Sequence, residues 1–320
     1  MRKPKVYLNI MGNCGNQFFQ YAFARNLQER LGADLIIDYS AVINDTTFAM
    51  SGSDNLLSDY NTAPYTYTDG SGSELKGKRR AIKLLNKMVE VLKLQPYTQK
   101  KYKFVLWCAK HLEKYGIYYF TAPYYPYKYD YKGDVVVYGY FECTKYFADI
   151  DHLIKKELTP KAPLLESNKD LYETITNRES VCITIKRCDI ENSDISDIYA
   201  YDINYFYHAV DYIKSRVDNP VFVIFSDNVD WCRENFHIDA ETLYETPGNP
   251  IWEKIRLMSG CKHFIIHNST FSWWVQHLST NDDKIVVAPT RWMNSEQPID
   301  LYEDNWIYMT NDGEVRTNHD

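Results

Sequence analysis

Apolar residues along this chain fall into short compact runs that alternate with longer stretches of helical spacing. Val6 to Ile10 is the first run, and a turn at Gly12-Asn13-Cys14-Gly15 follows it. From Gln17 to Leu31, Phe18, Tyr21, Ala22 and Leu31 fall near helical spacing, and Asp34 to Ile37 is a second run that ends at Asp38. Strand, turn, helix, strand in that order is a βαβ unit, which builds a parallel sheet. Residues 43–73 are rich in Asn, Asp, Ser, Thr and Gly and read as an irregular surface excursion. Lys76 to Leu94 reads as a basic amphipathic helix, with Ile82, Leu85, Met88, Val89 and Leu92 on one stripe. Two uses fit such a helix: docking on the protein's own core, or resting on an anionic membrane surface.

Val135 to Tyr138 is a further strand, residues 146–158 are helical, and Thr159-Pro160-Lys161-Ala162-Pro163 is a linker stiffened by proline. Beyond it the rhythm repeats. Strands are expected at Val181–Lys186, Val221–Phe225, Phe264–His267 and Lys284–Ala288. Helices are expected at Ile203–Val217, Trp252–Cys261 and Phe271–Leu278. This predicts an α/β protein of two Rossmann-like domains facing a cleft, residues 1–160 and 161–320. In open parallel sheets, ligands bind beyond the C-terminal ends of the strands.

Composition narrows the class. Apolar residues at 45% and charged residues at 25% are those of a globular chain. A formal net charge of -7 argues against a general nucleic-acid binder, which needs a basic face for phosphates. The seven cysteines include no Cys-x-x-Cys pair, so neither a disulfide framework nor a zinc site is expected, and a reducing compartment fits. Val6 to Met11 is too short for a signal peptide core and no run reaches membrane-spanning length, so a cytoplasmic location is expected. Tyrosine is abundant, with 28 copies, many of them between Tyr97 and Tyr146. Those rings fit either a sugar-stacking platform or ordinary packing.

Four motifs sit at expected strand ends. Gly12-Asn13-Cys14-Gly15-Asn16-Gln17 has two glycines that let backbone approach a ligand, and amides at a helix start, but lacks the G-x-G-x-x-G spacing of a dinucleotide site. Thr184-Ile185-Lys186-Arg187-Cys188-Asp189 brings two cations to a strand end, where a pyrophosphate or Asp189 itself would neutralise them. Asp227, in Ser226-Asp227-Asn228, can accept hydrogen bonds from a guanine edge or a ribose, or cap the next helix. His267-Asn268-Ser269-Thr270-Phe271-Ser272-Trp273-Trp274 runs a strand straight into a helix, aiming backbone N–H groups and a positive dipole end at a diphosphate. The tryptophans belong to the core. Asp149-Ile150-Asp151 has the letters of a metal-binding Asp-x-Asp but opens a helix, where acidic residues suit the dipole. No metal site is expected.

Taken in order, these segments resemble the bacterial α-1,2-fucosyltransferases. GNCGNQFFQYA (Gly12–Ala22) is similar to the family's G-G-L-G-N-Q-x-F-Q-Y-A, and GYFECTKYF (Gly139–Phe147) to its G-Y-x-Q-S-x-x-Y-F. Phe225-Ser226-Asp227 with Trp231-Cys232 matches F-S-D-x-x-x-W-C. LMSGCKHFIIHNSTFSWW (Leu257–Trp274) matches L-M-S-x-C-x-x-x-I-I-x-N-S-T-F-S-W-W. The family's phosphate motif reads H-x-R-R-x-D; here Thr184 stands for the His and Lys186 for the first Arg, while Arg187 and Asp189 are kept. Val275-Gln276-His277 stands where the family often has Gly-Ala-Trp.

The resemblance implies a GT-B fold, GDP-fucose as donor, inversion at the anomeric carbon and no required metal or cofactor. It implies GDP in the C-terminal domain, with Gly15, Lys186, Arg187, Asp227, Asn268, Ser269, Thr270, Phe271 and Ser272 as donor-site residues. It implies Asn16 near the transferred sugar, Arg187 neutralising the leaving group, and a base just downstream of the phosphate motif, among Glu191, Asp194 and Asp197, with Asp189 and Asp38 as further candidates. The expected partners are a GDP-sugar and a glycan acceptor, galactosyl and in some settings lipid-linked, with peripheral contact at the inner face of the membrane. Neither nucleic acid nor an obligate protein partner is expected. The altered phosphate motif keeps two alternatives open: a different donor sugar, or a homologue that binds nucleotide or glycan without turnover.

Overall fold

The computed structural model describes residues 2–43, 55–70, 75–120, 124–186 and 202–317. They form two compact units. The first comprises residues 1–159 with 295–301, and the second comprises 160–294 with 302–320. The Ser295–Leu301 segment therefore belongs with the first unit although it lies late in the chain. Gln297 Nε2 donates to the Thr98 carbonyl at 3.1 Å, and Tyr124 N donates to Asp300 Oδ2 at 2.6 Å.

The first unit holds five strands: β1 (Lys5–Asn9), β2 (Asp34–Asp38), β3 (Tyr65–Thr68), β4 (Ile117–Phe120) and β5 (Val135–Gly139). Their order is β3-β2-β1-β5-β4, and every pairing is parallel. Helix Cys14–Leu31 starts three residues earlier than the apolar spacing predicts and ends on Gly32, whose φ of 56° is a left-handed cap. β3 lies inside the stretch expected to be irregular: its Tyr-Thr-Tyr-Thr has no buried residue and so no apolar signature, yet it pairs with β2 as an edge strand. β4 emerges from the tyrosine-rich region. Tyr118 and Tyr119 are buried, and Tyr118, Tyr127 and Tyr146 pack on Phe23, so for these rings packing is the role.

Two helices, Lys76–Val91 and Gln99–Leu112, cover one face of this sheet. Ile82, Leu85 and Cys108 share a core cluster with Tyr7, Ile36, Ile117, Tyr119 and Val136. The first helix ends at Val91, not Leu94, and buries only Ile82 and Leu85 of its expected apolar stripe. Met88 and Leu92 are exposed.

The second unit holds β6 (Ser180–Ile185), β7 (Val221–Ser226), β8 (Thr242–Tyr244), β9 (His263–Ile265), β10 (Val286–Pro289), β11 (Ile307–Met309) and β12 (Val315–Arg316). The order is β12-β11-β10-β9-β6-β7-β8, with only β12 antiparallel. Renumbered from β6, the six parallel strands run 3-2-1-4-5-6, the order of a doubly wound nucleotide-binding sheet. Continuous apolar runs explain why β6 and β7 are buried at every position. Helix Ile203–Lys214 packs Phe206, Ala209, Val210 and Ile213 inward, and Trp273 and Trp274 are fully buried. The six described cysteines are all buried; Cys188 lies outside the described residues.

Candidate functional site

A doubly wound sheet opens a crevice where successive strands depart to opposite sides, and ligands enter it at the strands' C-terminal ends. In the second unit that point lies between β6 and β9. β6 delivers Thr184 and Lys186 there. β9 delivers His267 and Asn268, after which helix Thr270–Leu278 begins. Ser269 caps this helix by accepting from Phe271 N at 3.2 Å. Ser269, Thr270 and Phe271 are half-buried at the first turn, where backbone N–H groups and the helix dipole favour an anion.

Beneath this rim lies a closed ring of polar side chains. Thr184 Oγ1 is 3.0 Å from His267 Nδ1, Ser272 Oγ donates to Thr184 Oγ1 at 2.8 Å, and Ser272 Oγ is 2.8 Å from His267 Nδ1. Thr184, Ser272 and His267 are all buried. With Nδ1 bare, Ser272 can donate to Thr184 and Thr184 can donate to the ring of His267. Burial first, and then Lys186, lowers its pKa to about 3, an effect that Asp227 partly offsets. The imidazole is neutral, and Lys186 and Asp227 both lie within its electrostatic reach.

Asn268 is 5% exposed, and neither its amide nitrogen nor its amide oxygen meets a described partner. A buried amide left in that state costs about 1–3 kcal/mol per group.

At the next strand end, Asn228 rather than Asp227 caps helix Val229–Asn235, accepting from Trp231 N at 2.9 Å. This leaves the Asp227 carboxylate exposed. Behind it Glu245 is 1% exposed and accepts from Ser226 N at 3.1 Å and Lys254 Nζ at 3.0 Å. Burial raises its pKa, partly offset by Lys254.

The first unit has its own switch point, between β1 and β5. After β1, Gly12 has a φ of 73°, and a Cβ there would sit 2.8 Å from Asn16 Nδ2, so the Asn16 side chain lies against the glycine. Gln17 and Gln20 are committed to the loop itself: Gln17 Nε2 donates to Gly12 O, and Gln20 bonds both N and O of Met11. After β5, Phe141 adopts a φ of 54°, a strained value for an aromatic residue, and is held by stacking on Phe23 at 4.0 Å. Cys143 N donates to Phe141 O at 2.8 Å, which folds the chain tightly around Glu142. Glu142 is half-buried and has no hydrogen bond or ion pair among the described residues. Burial pushes its carboxyl up to about 7.

The structure thus gathers Lys186, Asp227, Asn268, Ser269 and Thr270, with Phe271, at the second unit's strand ends. It keeps Ser272 beneath the rim with its hydroxyl engaged. Asn16 and Gly15 belong to the first unit, in the opening turn of helix Cys14–Leu31, with Gly15 buried. Arg187, Asp189, Glu191, Asp194 and Asp197 lie outside the described residues. Sequence reasoning passed over His267 and Glu142. The available signal was substitution: Thr184 and Glu142 each depart from the motif they otherwise match. Among the described residues no group of three His, Cys, Asp or Glu side chains could hold a metal ion, and Asp151 instead pairs with Lys155 at 3.1 Å.

Two Rossmann-like units in one chain, with an anion-receptive helix start at the switch point of the second, define a GT-B-type glycosyltransferase. The chain belongs to glycosyl transferase family 11, whose sequence profile matches residues 72–310. An alpha-1,2-colitosyltransferase of Escherichia coli is 30% identical over 187 residues, covering 55% of this chain and 63% of that one, so the match spans under two thirds of that relative. The O-antigen biosynthesis glycosyltransferase WbnK of Escherichia coli is 27% identical over 323 residues, 95% of this chain and 100% of that one. The fold is similar to that of the fucosyltransferase NodZ from Bradyrhizobium, with a TM-score of 0.54 at 12% identity over 86% of this chain and 93% of that one.

Proposed function

We propose that this chain transfers L-fucose from GDP-fucose to a hydroxyl of a galactosyl glycan, with inversion and without a metal ion. The observation that carries this reading is Asn268, a buried amide with no hydrogen-bond partner among the described residues, at a helix start within the segment that matches the fucosyltransferase motif most fully. Asp227 would accept from the nucleoside. Asn268 and the first-turn N–H groups after Ser269 would hold the diphosphate, with Lys186 and Arg187 neutralising it. His267, held neutral by burial, lies beneath the same rim with Thr184 and Ser272.

The chemistry is one displacement. The acceptor oxygen bonds to the anomeric carbon, the bond from that carbon to the diphosphate oxygen breaks, and its electron pair leaves on GDP. The hydroxyl proton passes to a carboxylate. Asp189, Glu191 and Asp194 are candidates. Relatedness to WbnK, an O-antigen biosynthesis glycosyltransferase, over nearly the whole chain supports a polysaccharide acceptor.

A second reading has one observation in its favour. The Escherichia coli relative at 30% identity is a colitosyltransferase, so a colitosyl donor is the competing substrate. A turnover assay with a panel of GDP-sugars decides between them: fucose as the preferred donor supports the first reading, and turnover with another sugar alone removes it.

A further inference from the structure

We propose that the outer face of the two helices on the first sheet, Lys76–Val91 and Gln99–Leu112, docks the protein onto an anionic lipid bilayer. The proposal does not rest on the donor or acceptor assignment.

Between Lys76 and Lys114 the chain carries twelve Lys and Arg and two acidic residues, Glu90 and Glu113, in a protein whose net charge is -7. Glu113 is buried, so the outward charge of the segment is almost entirely positive. The apolar pattern is equally one-sided. Ile82 and Leu85 satisfy the core, yet Leu84, Met88 and Val91, at i, i+4 and i+7, form a second apolar stripe. Leu84 is 62% exposed and Val91 70%. Leu92 continues the stripe past the helix end at 56% exposure. Trp107, on the neighbouring helix of the same layer, is 51% exposed.

A basic row runs beside this stripe. Arg80, Lys83 and Lys87 each sit one residue ahead of an apolar or near-apolar stripe position, about 100° round the helix. None of the three is paired with a described acidic residue. Lys78 and Arg79, on the inner side, are instead tied down, to the Asp134 carbonyl and the Asp38 carboxylate.

Charge complementarity selects the occupant. A second copy of this chain would set one basic face against another, which is repulsive. Nucleic acid would use the charges but leave the Leu, Met and Val side chains in water. A bilayer with anionic headgroups takes both: the apolar stripe enters the headgroup boundary while lysine and arginine ammonium and guanidinium groups stay with the phosphates. No described helix is long and apolar enough to cross a membrane, so the contact is one that lies on the surface.

Vesicle flotation tests this with the full chain, using phosphatidylglycerol–phosphatidylcholine vesicles against pure phosphatidylcholine. Wild type is expected on the anionic vesicles at low salt, released by high salt, and absent from the neutral ones. Arg80→Gln/Lys83→Gln/Lys87→Gln should weaken partition about 100-fold, from roughly fivefold per removed charge. Leu84→Ser/Met88→Ser/Val91→Ser should also release the protein. Both variants replace exposed side chains, so unchanged thermal melting shows they still fold. The proposal is overturned if wild type ignores anionic vesicles, or if neither variant weakens binding. It is also overturned if the serine variant merely dissociates a dimer that has no affinity for lipid.

Discussion

Thr184 Oγ1 lies 3.0 Å from His267 Nδ1 across the gap between β6 and β9, so the hydroxyl that replaces a motif histidine on one strand contacts a histidine supplied by the next. Because His267 is held neutral, with its pKa lowered to about 3, folding must exclude a proton that the unfolded chain binds near the ordinary value of 6.5. The stability it contributes is complete above about pH 6.5 and is lost as the pH falls toward about 3. His267→Gln should therefore lose less stability than wild type between pH 7 and pH 4, read as the shift in urea midpoint. Equal shifts would show that the imidazole titrates freely in the folded protein.

Glu142 predicts the opposite dependence. Its carboxyl is raised from 4.5 to about 7, so the folded state holds a proton that the unfolded state releases between those values. Stability is greatest below about pH 4.5 and declines as the pH rises through about 7. Glu142→Gln should stabilise the protein at pH 8, by at most about 3 kcal/mol, and leave it unchanged at pH 4.

Asn268→Leu should separate stability from binding. Removing a buried amide that has no described partner should raise the melting temperature of the ligand-free protein, while the added stability that GDP confers should shrink. Thermal shift with and without GDP measures both. If the substitution lowers ligand-free stability, the amide is already satisfied by the fold.

Arg187→Ala should reduce kcat about 10²–10³-fold, or roughly 3–4 kcal/mol, as expected for loss of one group that stabilises a leaving diphosphate. Steady-state transfer kinetics measure it. Wild-type turnover would remove Arg187 from the donor site.

Much of the second unit was legible in the sequence because its strands are buried on both faces and announce themselves as unbroken apolar runs, as in Val221–Ser226. Strands without that signature were not. β3 is an edge strand of Tyr and Thr, β8 and β11 are three residues long, and β4 was hidden among tyrosines whose rings also suit a binding platform. At the site, the helix start at Ser269 could be read from strand-to-helix patterning, and the Asp227 carboxylate from its strand end. The engagement of Ser272 and the burial of His267 and Asn268 could not, because each depends on contacts between residues distant in the chain. The outward stripe of Leu84, Met88 and Val91 was not read for the same reason: spacing set Met88 beside Ile82 and Leu85, and only packing shows that the core takes those two and leaves Met88 outside.

The central claim is that the switch point between β6 and β9 binds a guanosine diphosphate without a metal. Calorimetric titration of GDP in the presence of EDTA tests it most directly, with wild type, Asp227→Ala and Asn268→Leu compared. Saturable binding by wild type in EDTA, weakened about tenfold or more in each variant, is the predicted result. No binding by wild type, or the same affinity in all three proteins, would contradict it.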